Sequence, residues 1–135
     1  MSNNSGKHPN IVVIVLDDVG FSDLGCYGSE IATPRMDGLA YRGVRYNNFH
    51  VTAMCSPTRA SLLTGRNPHA VGVGIIAEWA NGMPGYDGRI HASAGTLPEV
   101  LRLNGYNTLA VGKWHLAGTE EYGAAGHAWR CSSAG

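Results

Sequence analysis

Three stretches of the chain have the pattern of apolar positions and the length of a strand. Residues 10–16 are continuously apolar after Asn10, a pattern typical of a strand buried on both faces of a parallel sheet. Residues 44–50 alternate enough between apolar and polar positions to predict a second strand, and residues 106–111 predict a third. We expect residues 10–16 to form the central strand.

Helix start and stop signals lie between these strands. Residues 33–41 begin with a threonine suited to the N-cap and a proline in the first turn. Thr96 and Glu99 have the spacing of a capping box, which predicts a helix that continues through Leu103. With another helix over residues 57–64, the order β, α, β, α, α, β predicts the α/β class: part of a mostly parallel sheet flanked by helices. In such sheets ligands bind beyond the carboxyl ends of the strands.

Composition excludes several classes of partner. Ten basic and ten acidic side chains balance, and no block of like charge or basic–aromatic stripe is present, so we expect no nucleic-acid partner. The longest apolar run, residues 11–16, is too short to cross a bilayer, and residues 1–10 lack the order of a signal peptide. We therefore expect no membrane partner and a cytoplasmic location. The three cysteines show no Cys-x-x-Cys spacing, which argues against a disulfide framework or a cysteine zinc site.

Near the middle of the chain a cysteine, a short helix and an arginine follow one another closely. Ser56 is suited to be the N-cap and Pro57 the first helical residue, and Gly65 follows as a stop. The positive end of the helix dipole then faces Cys55, and Arg59 adds a fixed charge with a planar set of donors. This arrangement predicts a site for a thiolate or a tetrahedral oxyanion. The ordinary alternative is a small buried cysteine before an unexceptional helix.

Two further groups of polar residues follow predicted strands. Asp17 and Asp18 come directly after the first strand, and two adjacent carboxylates favour a hard divalent cation with oxygen ligands. The alternative is that one aspartate caps the next turn at Gly20. Lys113 and His115 follow the last strand, and a spacing of two places their side chains on the same side of an extended segment. Their ordinary interpretation is a pair of solvated loop residues.

These motifs together resemble the sulfatase family of the alkaline phosphatase superfamily. The chain carries Cys-x-Pro-x-Arg at residues 55–59 with a following Thr-Gly, Leu-Asp-Asp-Val-Gly at residues 16–20, and Gly-Lys-Trp-His at residues 112–115. The resemblance implies that a formylglycine-generating or anaerobic sulfatase-maturing enzyme converts Cys55 into formylglycine. The hydrated aldehyde of that residue has two hydroxyls: one attacks the sulfur of a small-molecule sulfate ester, and the other later loses its proton to expel sulfate.

The resemblance also implies roles for the other motif residues. Asp17 and Asp18, with residue 55, would ligate a divalent metal, Ca²⁺ or alternatively Mg²⁺. Arg59 would hold the formylglycine hydroxyl and help to neutralise the site. Lys113 and His115 would contact the formylglycine or the substrate sulfate, with His115 either moving a proton or donating a hydrogen bond.

The resemblance covers residues 10–126, between a flexible tail at 1–9 and a divergent tail at 127–135. Whole sulfatases are several times longer, and their later Asp-Asn pair, lysine and histidine have no counterpart here. We therefore expect the amino-terminal part of a sulfatase catalytic domain that is inactive, or nearly so, alone. Two alternatives remain open: a phosphonate or phosphate ester hydrolase of the same superfamily, and a noncatalytic fragment that binds an anion or a partner. Residues 71–79 lack the arrangement of a dinucleotide loop and are expected to pack near the site entrance.

Overall fold

The computed structural model describes residues 8–116. The chain divides into two compact units, Met1–His50 and Val51–Gly135. The described part of the first contains helix α1 (Pro34–Arg42), and that of the second contains helices α2 (Cys55–Thr64) and α3 (Leu97–Leu103). The tail predicted over residues 127–135 lies outside the described residues, as do residues 1–7 of the tail predicted at the amino terminus. None of the helices in the described range has the length and apolarity to span a membrane.

The first unit is organised by side-chain hydrogen bonds at the start of α1. Thr33 precedes the helix, and its hydroxyl donates to Asp37 Oδ1 at 2.8 Å. The same carboxylate oxygen accepts from the Cys26 amide at 2.8 Å, and the Thr33 hydroxyl accepts from the Gly25 amide at 2.9 Å. These bonds hold the 3-10 turn Gly25–Tyr27 against the helix because they satisfy backbone donors that the turn leaves unpaired.

The second unit contains the apolar core. Helix α2 ends at Thr64, and the Gly65 that follows adopts a left-handed conformation (φ 66°) and donates its amide to the Ser61 carbonyl at 2.8 Å. The core residues come from α2, from the segment after it and from the end of the described chain: Ala60, Val71, Val73, Ala94 and Leu116. Leu63, Ile90 and Trp114 pack against this cluster. The core therefore joins α2 to residues far along the sequence.

A folded-back loop covers one side of that core. The Gly74 amide donates to the Gly85 carbonyl at 2.8 Å, and Val73 and Tyr86 form a single antiparallel bridge. Further along, the Gly88 amide donates to the Gly72 carbonyl at 2.9 Å. The two arms of the loop are thereby held together by their backbones, and the Ala77 amide attaches the loop to Ser56 of α2.

The three predicted helices are confirmed, but the three predicted strands are not. Residues 10–16, 44–50 and 106–111 form neither strand nor sheet within the described range. Residues 10–16 were expected to be buried on both faces, yet Val12 is 79% exposed and Ile14 71%. A strand needs a neighbour about 4.8 Å away to pair its amides and carbonyls, and no such neighbour lies among residues 8–116. The described residues thus contain the helices of the predicted α/β class and not its sheet.

Gly72 generates a stability prediction. Its φ is 87°, and a Cβ placed on it would lie 2.5 Å from His91 Nε2 and 2.8 Å from the Arg89 carbonyl oxygen. We expect Gly72→Ala to lower the free energy of unfolding by about 2–5 kcal/mol, because left-handed strain and overpacking add. Gly82→Ala is the matched control: its φ is 73° with nothing within 4 Å, so about 1–2 kcal/mol is expected. Urea denaturation followed by tryptophan fluorescence measures both, and equal losses would contradict the packing argument.

Asp87 generates a prediction about pH. Its carboxylate lies 3.0 Å from His91 Nε2, and this hydrogen bond holds the pKa of Asp87 below its ordinary value. The contact therefore contributes fully to the free energy of unfolding at pH values above the unfolded-state pKa of about 3.9. This contribution is lost as the pH falls through the lower folded-state pKa. We expect wild type to exceed Asp87→Asn in urea midpoint near neutral pH and the difference to vanish on acidification. A difference independent of pH would contradict this assignment.

Candidate active site

Cys55 lies at the start of α2, but the helix begins two residues earlier than the sequence predicts. Met54 is the N-cap, since its carbonyl accepts the first helical hydrogen bond, from the Thr58 amide at 3.1 Å. Ser56, predicted as the cap, is instead fully buried, and its hydroxyl accepts from the Ala77 amide at 3.3 Å. The cap prediction is wrong because this tertiary contact takes the serine oxygen. Cys55 is consequently the first helical residue.

The thiol of Cys55 contacts a histidine 60 residues further along the chain. Cys55 Sγ lies 3.1 Å from His115 Nδ1. His115 is only 7% exposed, and its backbone has a φ of 53°, a left-handed conformation that is uncommon in residues other than glycine. Such conformations persist where surrounding contacts over-determine them, often at functional sites. The structure thus brings together two of the residues that the sequence singled out.

The other ring nitrogen of His115 contacts Glu78, which belongs to none of the sequence motifs. His115 Nε2 lies 2.7 Å from Glu78 Oε2, and the two side chains are 9% and 30% exposed. Glu78 belongs to the 3-10 turn Ala77–Trp79, inside the segment expected to pack near the site entrance. One feature of the sequence distinguishes Glu78 as a candidate: it is the only charged residue between His69 and Asp87.

Arg59 links α2 to the segment that carries Lys113 and His115. Arg59 follows Cys55 by four residues, so both lie on the same face of the helix. Its guanidinium donates to the Lys113 carbonyl at 2.6 Å. Lys113 is exposed whereas His115 is buried, because the positive φ of His115 takes this segment out of the regular extended geometry in which alternate side chains share a side. The described contacts therefore join four predicted residues of the second unit.

Asp17 and Asp18 belong to the first unit, where both are exposed and Asp18 has a φ of 54°. The alternative role, capping the turn at Gly20, is taken by Asp23, whose Oδ2 accepts from the Gly20 amide at 2.7 Å. Carboxylates are suitable ligands for Ca²⁺ or Mg²⁺, but Ca²⁺ takes about six to eight oxygens. Among residues 8–116 no group of three or more His, Cys, Asp or Glu side chains could hold a metal ion. Asp17 and Asp18 therefore do not form a complete metal site with the other described residues.

The remaining histidines of this region have local partners. His69 packs edge-on against the ring of Tyr86, with 5.2 Å between ring centroids, and its amide donates to Asn67 Oδ1 at 3.0 Å. His91 pairs with Asp87. Both histidines therefore have local structural contacts.

Comparison with known proteins now adds the family. A family model described as Sulfatase matches residues 9–129. An uncharacterized sulfatase of Schizosaccharomyces pombe is 46% identical over 123 residues, covering 85% of this chain and 22% of the relative. Arylsulfatase A of Homo sapiens is 44% identical over 114 residues (82% and 21%), and the arylsulfatase of Klebsiella aerogenes is 38% identical over 112 residues (82% and 24%). The chain thus spans about a fifth to a quarter of the length of these relatives.

Solved structures agree on the course of the backbone. The crystal structure of Ps i-CgsB superposes with a TM-score of 0.70 at 35% identity, covering 87% of this chain and 26% of that one. Ps i-CgsB in complex with k-i-k-neocarrahexaose superposes with a TM-score of 0.65 at 32% identity, covering 82% and 24%. The chain therefore follows the path of a segment of that larger fold.

The buried contact between Ser56 and Ala77 generates a third prediction. We expect Ser56→Ala to lower the free energy of unfolding by about 1–3 kcal/mol, because the Ala77 amide, in a residue only 5% exposed, loses its acceptor. Ser61→Ala, in the same helix, is the matched control, with an expected change within about 0.5 kcal/mol. Urea denaturation measures both variants. Equal effects of the two substitutions would show that the hydrogen bond does not hold the turn.

Proposed function

Because this chain belongs to the sulfatase family, we propose that it carries the nucleophile-bearing segment of a sulfuric ester hydrolase of the arylsulfatase type. Residue 55 would act as formylglycine made from Cys55, and the substrate would be a small-molecule sulfate ester. Two relatives named as arylsulfatases support this activity, as does the Cys-x-Pro-x-Arg motif of this chain. The maturing enzyme that makes formylglycine is then a required partner.

One observation carries the proposal: residue 55 stands at the first turn of α2 with an acid–base group in contact. The 3.1 Å approach of His115 Nδ1 to the side chain of residue 55 is within hydrogen-bond reach. A hydroxyl borne by residue 55 in the mature protein could therefore exchange a proton with this nitrogen. The burial of His115 keeps water from competing for the same contact.

Charge at the site supports an anionic substrate. The Arg59 guanidinium sits one helical turn from residue 55 and is held against the Lys113 carbonyl, so its positive charge has a defined position. The helix places its positive dipole end at residue 55 as well. Together with the Lys113 ammonium, these groups would draw a sulfate towards residue 55 and stabilise the charge that develops on its oxygens.

Two groups of the proposed site are not part of the bare polypeptide. Formylglycine supplies, in its hydrated form, two hydroxyls on one carbon. A divalent metal, Ca²⁺ or Mg²⁺, would supply positive charge, and we propose Asp17 and Asp18 as two of its ligands because adjacent carboxylates are hard oxygen donors. Among residues 8–116 no cluster of three or more His, Cys, Asp or Glu side chains completes this set of ligands.

Substrates to be tested include sulfate esters of sugars as well as of phenols. The reason is that a structural neighbour at 32% identity is in complex with k-i-k-neocarrahexaose. Lys113, which would contact the sulfate group, is exposed.

A chimera tests the proposal. Residues 10–116 replace the matched segment of the Klebsiella aerogenes arylsulfatase, and the chimera is co-expressed with a sulfatase-maturing enzyme and supplied with Ca²⁺. Mass spectrometry is expected to find Cys55 converted to an aldehyde and Cys26, outside the motif, unchanged. The chimera is expected to hydrolyse an aryl sulfate faster than a phosphate diester or phosphonate ester with the same leaving group.

Variants of the chimera complete the test. Cys55→Ala is expected to abolish hydrolysis, and Lys113→Ala to lower kcat by about 10²–10³-fold, the loss typical of removing one transition-state donor. Cys26→Ala is the matched control and should keep the parent rate. An unconverted Cys55 would favour a noncatalytic, anion-binding role. A preference for phosphate or phosphonate esters would favour the other hydrolase class.

A further inference from the structure

We propose that Glu78 is a positioning residue that fixes the tautomer and the ring orientation of His115, so that His115 presents an unprotonated Nδ1 to residue 55. The contacts run in one line, from Cys55 Sγ to His115 Nδ1 at 3.1 Å and from His115 Nε2 to Glu78 Oε2 at 2.7 Å. The meaning of this arrangement for catalysis rests on the proposed function, whereas the arrangement itself is a property of the unmodified chain.

The tautomer follows from the chemistry of the two partners. An ionised carboxylate only accepts hydrogen bonds, so the short contact with Glu78 requires the proton of a neutral imidazole to be on Nε2. Nδ1 then carries the lone pair and faces residue 55 as an acceptor. In the serine-protease triad, replacing the orienting carboxylate by its amide leaves the geometry intact but lowers kcat by about 10⁴, because the tautomer is wrong.

The turn that carries Glu78 and the segment that carries His115 are both attached to the same helix, α2. The turn that carries Glu78 is attached through the Ala77 amide to Ser56 Oγ in the first turn of α2. The segment that carries His115 is attached through the Lys113 carbonyl to Arg59, one turn further along. Since residue 55 opens this helix, its side chain, the imidazole and the carboxylate share one rigid support.

This support explains why Glu78 acts through His115 and not on the substrate directly. The His115 side chain is 9% exposed, so the ring has little freedom to turn, and its left-handed backbone sets the direction in which it leaves the chain. Glu78 lies on the side of the ring that faces away from residue 55. For a formylglycine hydroxyl at residue 55, Nδ1 would be a proton acceptor already in place. Of the two roles left open for His115, moving a proton and donating a hydrogen bond, this arrangement favours moving a proton.

The test is the protonation state of each ring nitrogen of His115, read from long-range ¹H–¹⁵N correlation spectra of the ¹⁵N-labelled, unmodified chain. Spectra are taken at about pH 8, above the ordinary histidine pKa of about 6.5. We expect the wild-type chain to show a protonated, pyrrole-type Nε2 and an unprotonated, pyridine-type Nδ1. A proton on Nδ1, in the other neutral tautomer or in an imidazolium, overturns the proposal.

Substitution of Glu78 provides the second arm. In Glu78→Gln the ratio of the Nε2–H to the Nδ1–H tautomer is expected to fall about tenfold or more, since the hydrogen bond to a charged group is lost. Glu78→Asp keeps the carboxylate and is expected to lie between Gln and wild type. An unchanged ratio in Glu78→Gln overturns the proposal. If Glu78→Gln does not fold, the wild-type spectrum and the shift in Glu78→Asp decide it.

His91 and Asp87 provide a matched control within the same chain, because their contact is also between Nε2 and a carboxylate oxygen, at 3.0 Å. Asp87→Asn should change the His91 spectrum and leave His115 unchanged, and Glu78→Gln should do the reverse. A change of His115 in both variants would overturn a specific role for Glu78. No sulfate ester or maturing enzyme enters these measurements, so the failure of the sulfatase proposal and of this one are separate outcomes.

Discussion

The described part of the site depends on the two contacts that the imidazole ring of His115 makes. One ring nitrogen reaches residue 55 and the other reaches Glu78, so a single buried ring joins the start of α2, the turn Ala77–Trp79 and the end of the described chain. Buried polar groups are costly unless both of their hydrogen-bonding positions are satisfied, and this ring satisfies both with side chains. The apolar core around Ala60, Val71 and Val73 closes beside it.

Helix α2 is the common support of these contacts. Its first turn carries residue 55 and the buried Ser56 hydroxyl, and its second carries Arg59, so three contacts with later parts of the chain start within five residues. A helix holds such positions well because its backbone bonds are internal and its side chains at i and i+4 share a face. The family motif is thus both the chemical signature of this segment and its structural centre.

The apolar segments show that a local sequence pattern is not enough to determine a strand. Residues 10–16 have the local pattern of a buried strand, yet within the described range they form no strand and are exposed. β-Propensity describes how well a residue fits a half-buried, pleated surface, and that surface exists only where other strands and helices supply it. The structural neighbours, of which the chain covers about a quarter, share its backbone path at TM-scores of 0.70 and 0.65. The family and the course of the backbone are therefore established, whereas the described residues form no sheet.

The sequence by itself determined the elements and residues whose signals are local. The extent of α1, of α3 and of the carboxyl end of α2 followed from prolines, a capping box and Gly65, because capping depends on residues within one turn of the helix end. The family followed from motifs of four or five consecutive residues. Only the tertiary structure decided that Ser56 bonds to Ala77 instead of capping the helix, and that Glu78 meets His115. These partners are 21 and 37 residues apart, and no spacing rule connects them, since the fold of the intervening chain sets their distance.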